Sequence, residues 1–417
     1  MNPNYALLIG IDRSDTRLDI CTLDAASGQP TAHTVSTNPR ALREWFATQC
    51  RDLPEGARIA VAFEQPATNL IVFFSQFAQV ALYPLNPAAV RSYCKSFAIS
   101  GAHTDTSDAA MIARYLAHYH AQLRPRPERS GPVLELDRLN IARRDLVNER
   151  TAVVNRLQAT LKLYFPQAIE LLSEDLWRPM DAHFLLRWPS LQELQKARTS
   201  TLRSFWQKHG SRSEKLIAAR LDLIAQALPL TSDPHLIDPL ALEIGVIARQ
   251  LLLLDESIKL FEARLGEIAQ SLADYPFFRA LPGAGPVFAA RLLAAFGNDR
   301  SLWQSADDLL RLSGVAPVTQ QSGKTRVVHR RRKAPAFLHQ TFVEWAAESW
   351  KHSAWARAFY LYHKAKGKGF HSIMRALAYK WIRILFRAWQ DRTSYDENLY
   401  LQNLRKRANP ICEYLGA

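Results

Sequence analysis

Four carboxylates near the N-terminal end of the chain fall where chemistry could use them. Asp12 interrupts the apolar run ALLIGID, Glu64 closes the run RIAVAFE, and Asp105 and Asp108 lie three apart in HTDTSDAAMIARYL. One acid on a strand, another at a strand end and a pair on one helix face can be folded to a common point. Such a group repels itself unless divalent cations neutralise it, and hard oxygen donors suit Mg2+ or Mn2+. Two such ions can clamp the attacking and leaving oxygens of a phosphodiester. Each residue also has a plainer reading. Glu64 can be a polar strand end, and Asp105 and Asp108 can be acids favoured by a helix N-terminus with Thr104 as its cap. Asp12 resists that treatment most, because an unpaired carboxylate inside an apolar strand is costly.

A second group lies toward the other end. The segment LRLSGVAPVTQQSGKTR, Leu310–Arg326, holds two Ser-Gly pairs, Ser313-Gly314 and Ser322-Gly323. Ser-Gly before Lys is by itself an ordinary turn. Ser322 is the pair member flanked by Lys324 and Arg326, where a phosphate would be held. Upstream, LPGAGP places Gly283 and Gly285 where backbone N–H groups can approach a phosphate, or where a plain turn links two helices. Downstream, VVHRRRKAP supplies Arg330, Arg331, Arg332 and Lys333, and Lys366, Lys368 and Arg375 follow as phosphate contacts that would position rather than specify. Between Gln320 and Phe370 eleven Lys or Arg face only Glu344 and Glu348. Trp345, Trp350, Trp355, Tyr360 and Tyr362 share this stretch, as stacking surfaces or, at their helical spacing, as core.

The elements that must position these residues follow from periodicity. Strands are expected in the segments Tyr5–Leu23 (two, with a turn between), Ala32–Ser36, Arg58–Glu64 and Val80–Leu85, and helices over Pro39–Cys50 and Asp105–His120. Alternating strands and helices indicate an α/β domain with a mixed sheet over residues 1–125. A Pro- and Arg-rich linker, LRPRPERSGP, leads into a helical middle, residues 126–274. There, amphipathic helices over Leu134–Tyr164 and Leu236–Leu272 are expected to pair in coiled-coil fashion, within or between chains, around a Trp-bearing helical insert at Phe165–Leu230. Residues 275–417 read as a mainly α-helical basic domain.

Composition narrows the partners. The 417 residues carry 53 Lys and Arg against 39 Asp and Glu, a net +14, which favours a polyanion; nucleic acid is the commonest, although ribosomal or membrane-surface proteins share such a charge. Cys21, Cys50, Cys94 and Cys412 form no CxxC pair, which excludes the usual zinc-ribbon spacing and argues against a disulfide framework, so free thiols are expected. No signal peptide and no membrane-spanning run is evident, so a cytoplasmic or nucleoid location and no membrane partner are expected.

IGID, FEQPATN and HTDTSDAAMIARYL together resemble the DEDD-type, RuvC-like domain of an insertion-sequence transposase family. That family is related to the Piv-type DNA invertases and is known as the bridge-RNA-guided recombinases. The resemblance covers residues up to about Tyr115 and again from about Leu281. It implies metal binding by Asp12, Glu64, Asp105 and Asp108. It also implies a second hallmark at Gly314, Pro317, Ser322 and Gly323, with Ser322 as the nucleophile that becomes covalently joined to DNA. A RuvC/RNase H-like fold, a helix-hairpin-helix-like element at Leu281–Pro286, an element-encoded guide RNA and a homo-oligomer, dimer or tetramer, are further implications. Two departures stand out: His103-Thr104-Asp105 replaces Lys-Thr-Asp, and the arginine run after Ser322 replaces a more glycine-bearing stretch. The expected function is site-specific DNA transposition. Rivals are a metal-dependent junction endonuclease hydrolysing with water, which would leave Ser322 idle, and an inactive nucleic-acid-binding relative.

Overall fold

The computed structural model describes residues 5–64, 67–97, 105–123, 125–126, 131–211, 213–323, 325–331 and 334–416, with the side chains of residues 105 and 106 outside that description. The chain divides into two compact units, Met1–Glu128 and Arg129–Ala417.

In the first unit a five-stranded sheet is built from β1 (Tyr5–Arg13), β2 (Arg17–Asp24), β3 (Pro30–Ser36), β4 (Arg58–Glu64) and β5 (Val80–Leu85), in the order β3-β2-β1-β4-β5. β1, β2 and β3 pair antiparallel, whereas β4 and β5 run parallel to β1. Side chains alternate across the sheet. Leu7, Ile9 and Ile11 of β1 join Ile59, Val61 and Phe63 of β4 on one face, under α1 (Pro39–Arg51) and α2 (Thr68–Phe74). Leu8 of β1 joins Ala60 and Ala62 on the other, under α3 (Pro87–Phe97) and α4 (Asp105–Tyr119). Because both faces are covered, β1 and β4 are apolar almost throughout rather than alternating. The expected strands and the two expected helices are present; α2 and α3 are additions, too short or too even in hydropathy to announce themselves.

The second unit is helical apart from one hairpin. Its axis is an antiparallel pair, α5 (Gly131–Tyr164) and, much later, α11 (Pro234–Ser271), each on the order of 50 Å long. Both belong to the same chain, and Arg143–Glu262, Arg264–Glu135 and Arg156–Gln250 contacts lace them together at 2.9, 2.7 and 2.6 Å. Between them, α6 (Gln167–Leu171), α7 (Pro179–Arg187), α8 (Leu191–Lys196), α9 (Thr199–Lys208) and α10 (Glu214–Gln226) form a core around Phe184, Phe205 and Trp206. This core takes in Leu157 and Leu161 of α5 and Ile244 and Leu251 of α11, so the insert caps one end of the pair. The other end, with Leu136, Leu265 and Ile268, enters a larger core.

That larger core collects α12 (Tyr275–Arg279), α13 (Gly285–Phe296), α14 (Ala306–Leu312), α15 (Ala336–Ser349), α16 (Ala354–Ala365), α17 (Phe370–Gln390) and α18 (Glu397–Lys406). Trp345, Trp355, Trp381 and Trp389 are all buried in it, and each indole N–H donates a bond, to Pro282 O, Tyr395 Oη, Ser349 Oγ and Asp274 Oδ2. Such bonds let large polar-tipped rings be buried without penalty. Between α14 and α15 stands the hairpin of β6 (Val318–Ser322) and β7 (Thr325–His329). Along α11, by contrast, Leu242, Val246, Leu253 and Leu260 stay exposed, the last three at heptad spacing. Among the described residues no helix is long and apolar enough to cross a membrane.

Candidate active site

The acidic group is assembled by one close crossing. On β1, Gly10 and Asp12 share the face that α4 covers, and a Cβ on Gly10 would collide with the backbone of Ala109 and Ala113. Only glycine lets α4 lie this near the strand. The crossing sets the start of α4 beside β1, and the charge of Asp108 in its first turn reaches Glu64 at the end of β4. Glu64, the last residue of β4, has the same parity as Ala60 and Ala62 and so faces the same way.

Electrostatics reports their proximity. The Glu64 carboxyl is held above the usual range, first by burial and then by the negative charges of Asp12 and Asp108, while Arg91 of α3 pulls it down. The Cys94 thiol of α3 is also pushed up, by burial and then by Asp108 and Glu64. Asp12 and Asp108 thus both act on Glu64, and all three are half-buried. The side chain of Asp105 lies outside the described residues, as does the Thr104 cap. Carboxylate oxygens are the donors that hard divalent cations take, and the repulsion raising Glu64 is what a cation would relieve. Among the described residues, however, no three Asp, Glu, His or Cys side chains close around a point tightly enough to hold an ion.

Two neighbours escaped the sequence reading. Asp19 pairs directly with Asp12 across β1 and β2, is buried, accepts from Thr34 Oγ1 at 2.9 Å and meets Arg17 at 3.4 Å. Its signal was present, as an acid inside the apolar run RLDICTL. Arg91 had none, since α3 itself was not foreseen.

In the second unit, the two Ser-Gly pairs separate cleanly. Ser313 is fully buried at the end of α14, its Oγ donating to Leu310 O and its carbonyl meeting His339 Nδ1 at 3.2 Å. Gly314 (φ +68°) has no room for a Cβ, which would strike Ala334. That pair is structural. Ser322 is exposed at the tip of the β6–β7 hairpin, opposite Thr325, with Gly323 turning at φ +56°. Ser322 and Arg326 share the hairpin, which projects with almost every residue exposed on both faces. Lys324, Arg332 and Lys333 lie outside the described residues.

Residues 9–166 match a DEDD-type family model described as transposase, and residues 275–361 match the model described as transposase, IS116/IS110/IS902 family. Together the two matches span more than half of the chain. The chain belongs to the IS110/IS116/IS902 transposase family. It is 28% identical to the protein named as mini-circle transposase for IS117 of Streptomyces coelicolor, over 81% of this chain and 83% of that one. It is 25% identical to the 43.6 kDa protein of insertion element IS110 from the same organism, over 82% and 88%, and 26% identical to the 42 kDa protein of IS900 of Mycobacterium paratuberculosis, over 70% and 72%. The first match contains Asp12, Glu64, Asp105 and Asp108, the second Gly283, Gly285 and Ser322.

In this family member the glycines of LPGAGP form the link between α12 and α13, Gly283 at φ +66° and Gly285 at φ +52°. A Cβ on Gly283 would come within 2.9 Å of His352 Cδ2, so that glycine serves packing against α15 and the following turn. Gly285 has open space around it. The two acids of the basic stretch are occupied internally: Glu344 by Arg291 at 2.8 Å and Arg144 at 3.2 Å, Glu348 by Lys351 at 2.8 Å and His352 at 3.2 Å. Arg330, Lys366 and Lys368 are exposed, and Arg331 and Arg375 are half-buried. Trp345 and Trp355 belong to the core and not to this surface.

Proposed function

We propose that this transposase cuts and rejoins DNA strands at specific sites, using the acids of its first unit and Ser322 of its second. The observation that carries the reading is the acidic face under the Gly10 crossing, where Asp12 and Asp108 both act on Glu64. A sheet with β1 central, β2 and β3 antiparallel on one side and β4 and β5 parallel on the other supports a RuvC/RNase H-like reading of that unit. Asp12, Glu64, Asp108 and Asp105 would hold Mg2+ or Mn2+. Bound there, the ion would neutralise charge on the phosphodiester and favour an ionised attacking oxygen.

Ser322 Oγ would attack phosphorus, and the P–O bond formed would replace the one broken, the displaced sugar oxygen leaving as a free hydroxyl. The phosphoserine ester conserves the bond energy, so a second strand can reverse the step without an external energy source. Gly283, Gly285, Arg326, Arg330, Arg331, Lys366, Lys368 and Arg375, with Lys324, Arg332 and Lys333, would hold phosphates. An element-encoded guide RNA remains part of the reading on the family resemblance. The exposed apolar stripe of α11 supports a homo-oligomer, dimer or tetramer, which two-site recombination also requires.

The test uses purified protein with its co-purifying RNA, Mg2+ and duplex DNA carrying the element junction, read out as a denaturant-resistant protein–DNA adduct. Wild type should form it, and Ser322→Ala and Asp12→Ala should not. Cleavage without an adduct, indifferent to Ser322→Ala, would overturn the serine step and leave a metal-dependent endonuclease.

A further inference from the structure

At the root of the exposed hairpin lies a cavity of about 530 Å3. It is bounded by the loop after α14, the end of β7 and one face each of α16 and α17. Arg330, Arg331, Arg375 and Lys380 line it, and among the described residues no carboxylate does. Among the described residues, Arg330, Arg375 and Lys380 make no ion pair, although other arginines of α17 do, as in Arg383–Asp307 and Arg387–Asp391. Arg375 is pulled below the usual arginine range by burial and by the charge of Arg330, so two guanidinium groups repel each other at the cavity. That repulsion is relieved by an anion, and guanidinium forks suit phosphate.

The remaining walls have a different character. Pro317, Val328, Phe359 and Tyr379 present apolar surface, and Val328 is 58% exposed although it is a β-branched hydrophobe. His363 also lines the cavity, and its Nδ1 is buried without a hydrogen-bond partner. A bare phosphate would leave these apolar walls unused. A purely apolar ligand would leave the cations desolvated and unpaired. A nucleotide uses both, and its volume class is that of a small-ligand pocket. A base stacked within a duplex cannot enter a concavity of this kind; an unstacked one can.

We infer that this cavity seats one unstacked nucleotide of the bound nucleic acid, its phosphate held by Arg330, Arg331 and Arg375 and its base against Val328 and Tyr379. The inference rests on the proposal that the second unit binds nucleic acid, and it adds a place where a base is taken out of the stack beside the hairpin that carries Ser322.

The test compares binding of a fluorescent oligothymidylate with that of an abasic oligomer of the same length, which keeps the phosphates and lacks the bases. Full-length wild type should prefer the base-bearing strand by about 5- to 150-fold, the range that one stacked base gives. Ala376→Leu fills the cavity from the α17 wall without changing charge, and should bring that ratio close to one while leaving abasic binding intact. Arg375→Gln should weaken both oligomers alike and reduce the salt dependence by about 0.7 of a log–log unit, one phosphate contact on a single strand. A thermal melt matching wild type establishes that each variant is folded. If both strands bind and the ratio is unmoved by Ala376→Leu, the nucleotide cavity is wrong and the nucleic-acid surface stands. If neither strand binds wild type, the nucleic-acid reading falls and takes the cavity with it.

Discussion

At the scale of single residues, the acidic face is a set of charges that the fold holds against their own preference. Glu64 titrates above the ordinary carboxylate range because burial, Asp12 and Asp108 all disfavour its ionised form. A raised carboxylate pKa means that the folded protein holds this proton more tightly than the unfolded chain. Stability is therefore lost as pH rises from the unfolded pKa through the folded one, and at neutral pH the ionised Glu64 is a burden. Glu64→Gln should raise the melting temperature at neutral pH in metal-free buffer and remove most of any rise that Mg2+ gives wild type, measured by scanning calorimetry with and without chelator. A melting temperature lowered by the change would contradict the electrostatic picture. Asp12 and Glu64 were legible in the sequence because each broke or closed an apolar run. Asp19 is as visible in the sequence, but its significance lies in register: only the β1–β2 pairing sets it opposite Asp12.

At the scale of elements, the acids meet because one helix lies unusually close to one strand. Gly10→Ala puts a methyl group into the backbone of α4 at Ala109 and Ala113, where nothing short of moving the helix makes room. The expected result is a loss of about 1–3 kcal/mol, the usual cost of overpacking, together with a loss of DNA cleavage larger than the stability change explains. Urea melts and cleavage rates on the same samples check it; full activity in a destabilised protein would mean that the crossing has no role in placing Asp108. In the second unit, Glu344 of α15 ties α13 through Arg291 and α5 through Arg144. Arg291 is 5% exposed, so Glu344→Ala strands a buried guanidinium and should cost roughly 3–5 kcal/mol in the urea midpoint analysis. The sequence showed Glu344 only as a rare acid in a basic stretch. Its partners lie about fifty and two hundred residues away, a distance that no local pattern spans. The long helices, by contrast, were readable to within three residues at each end, because their apolar periodicity runs for many turns. The hairpin was partly hidden: with neither face packed, β6 and β7 carry no alternation to read.

At the scale of the whole molecule, the helix pair of α5 and α11 connects two cores, one built by the insert and one by the C-terminal helices. Neither core covers Val246, Leu253 and Leu260, whose heptad spacing leaves an apolar line along α11. On the proposed homo-oligomer, replacing Leu253 and Leu260 together by Glu should leave monomers in light scattering, with little change in melting temperature, because both side chains are already in water when the chain is alone. An unchanged mass would place the contact between copies elsewhere. The composition of the two units, a mixed α/β sheet first and helices after it, was legible from periodicity. The internal core of residues 165–230 was not, since its Trp and Phe residues signal burial without saying against what.

The exposed hairpin has a kinetic and entropic side. A two-stranded ribbon with no packed face has little to hold its ladder closed. Its amides should exchange with deuterium at the free energy of a local opening, near zero, while those around Trp345 and Trp381 wait for global unfolding. If Ser322 engages DNA as proposed, the cost of ordering this segment would arise only when a strand is bound. Bound DNA should slow exchange in Val318–His329 more than anywhere in the buried helices. On the proposed serine mechanism, affinity spent on that ordering would keep the Ser322 hydroxyl idle until a substrate has assembled its surroundings.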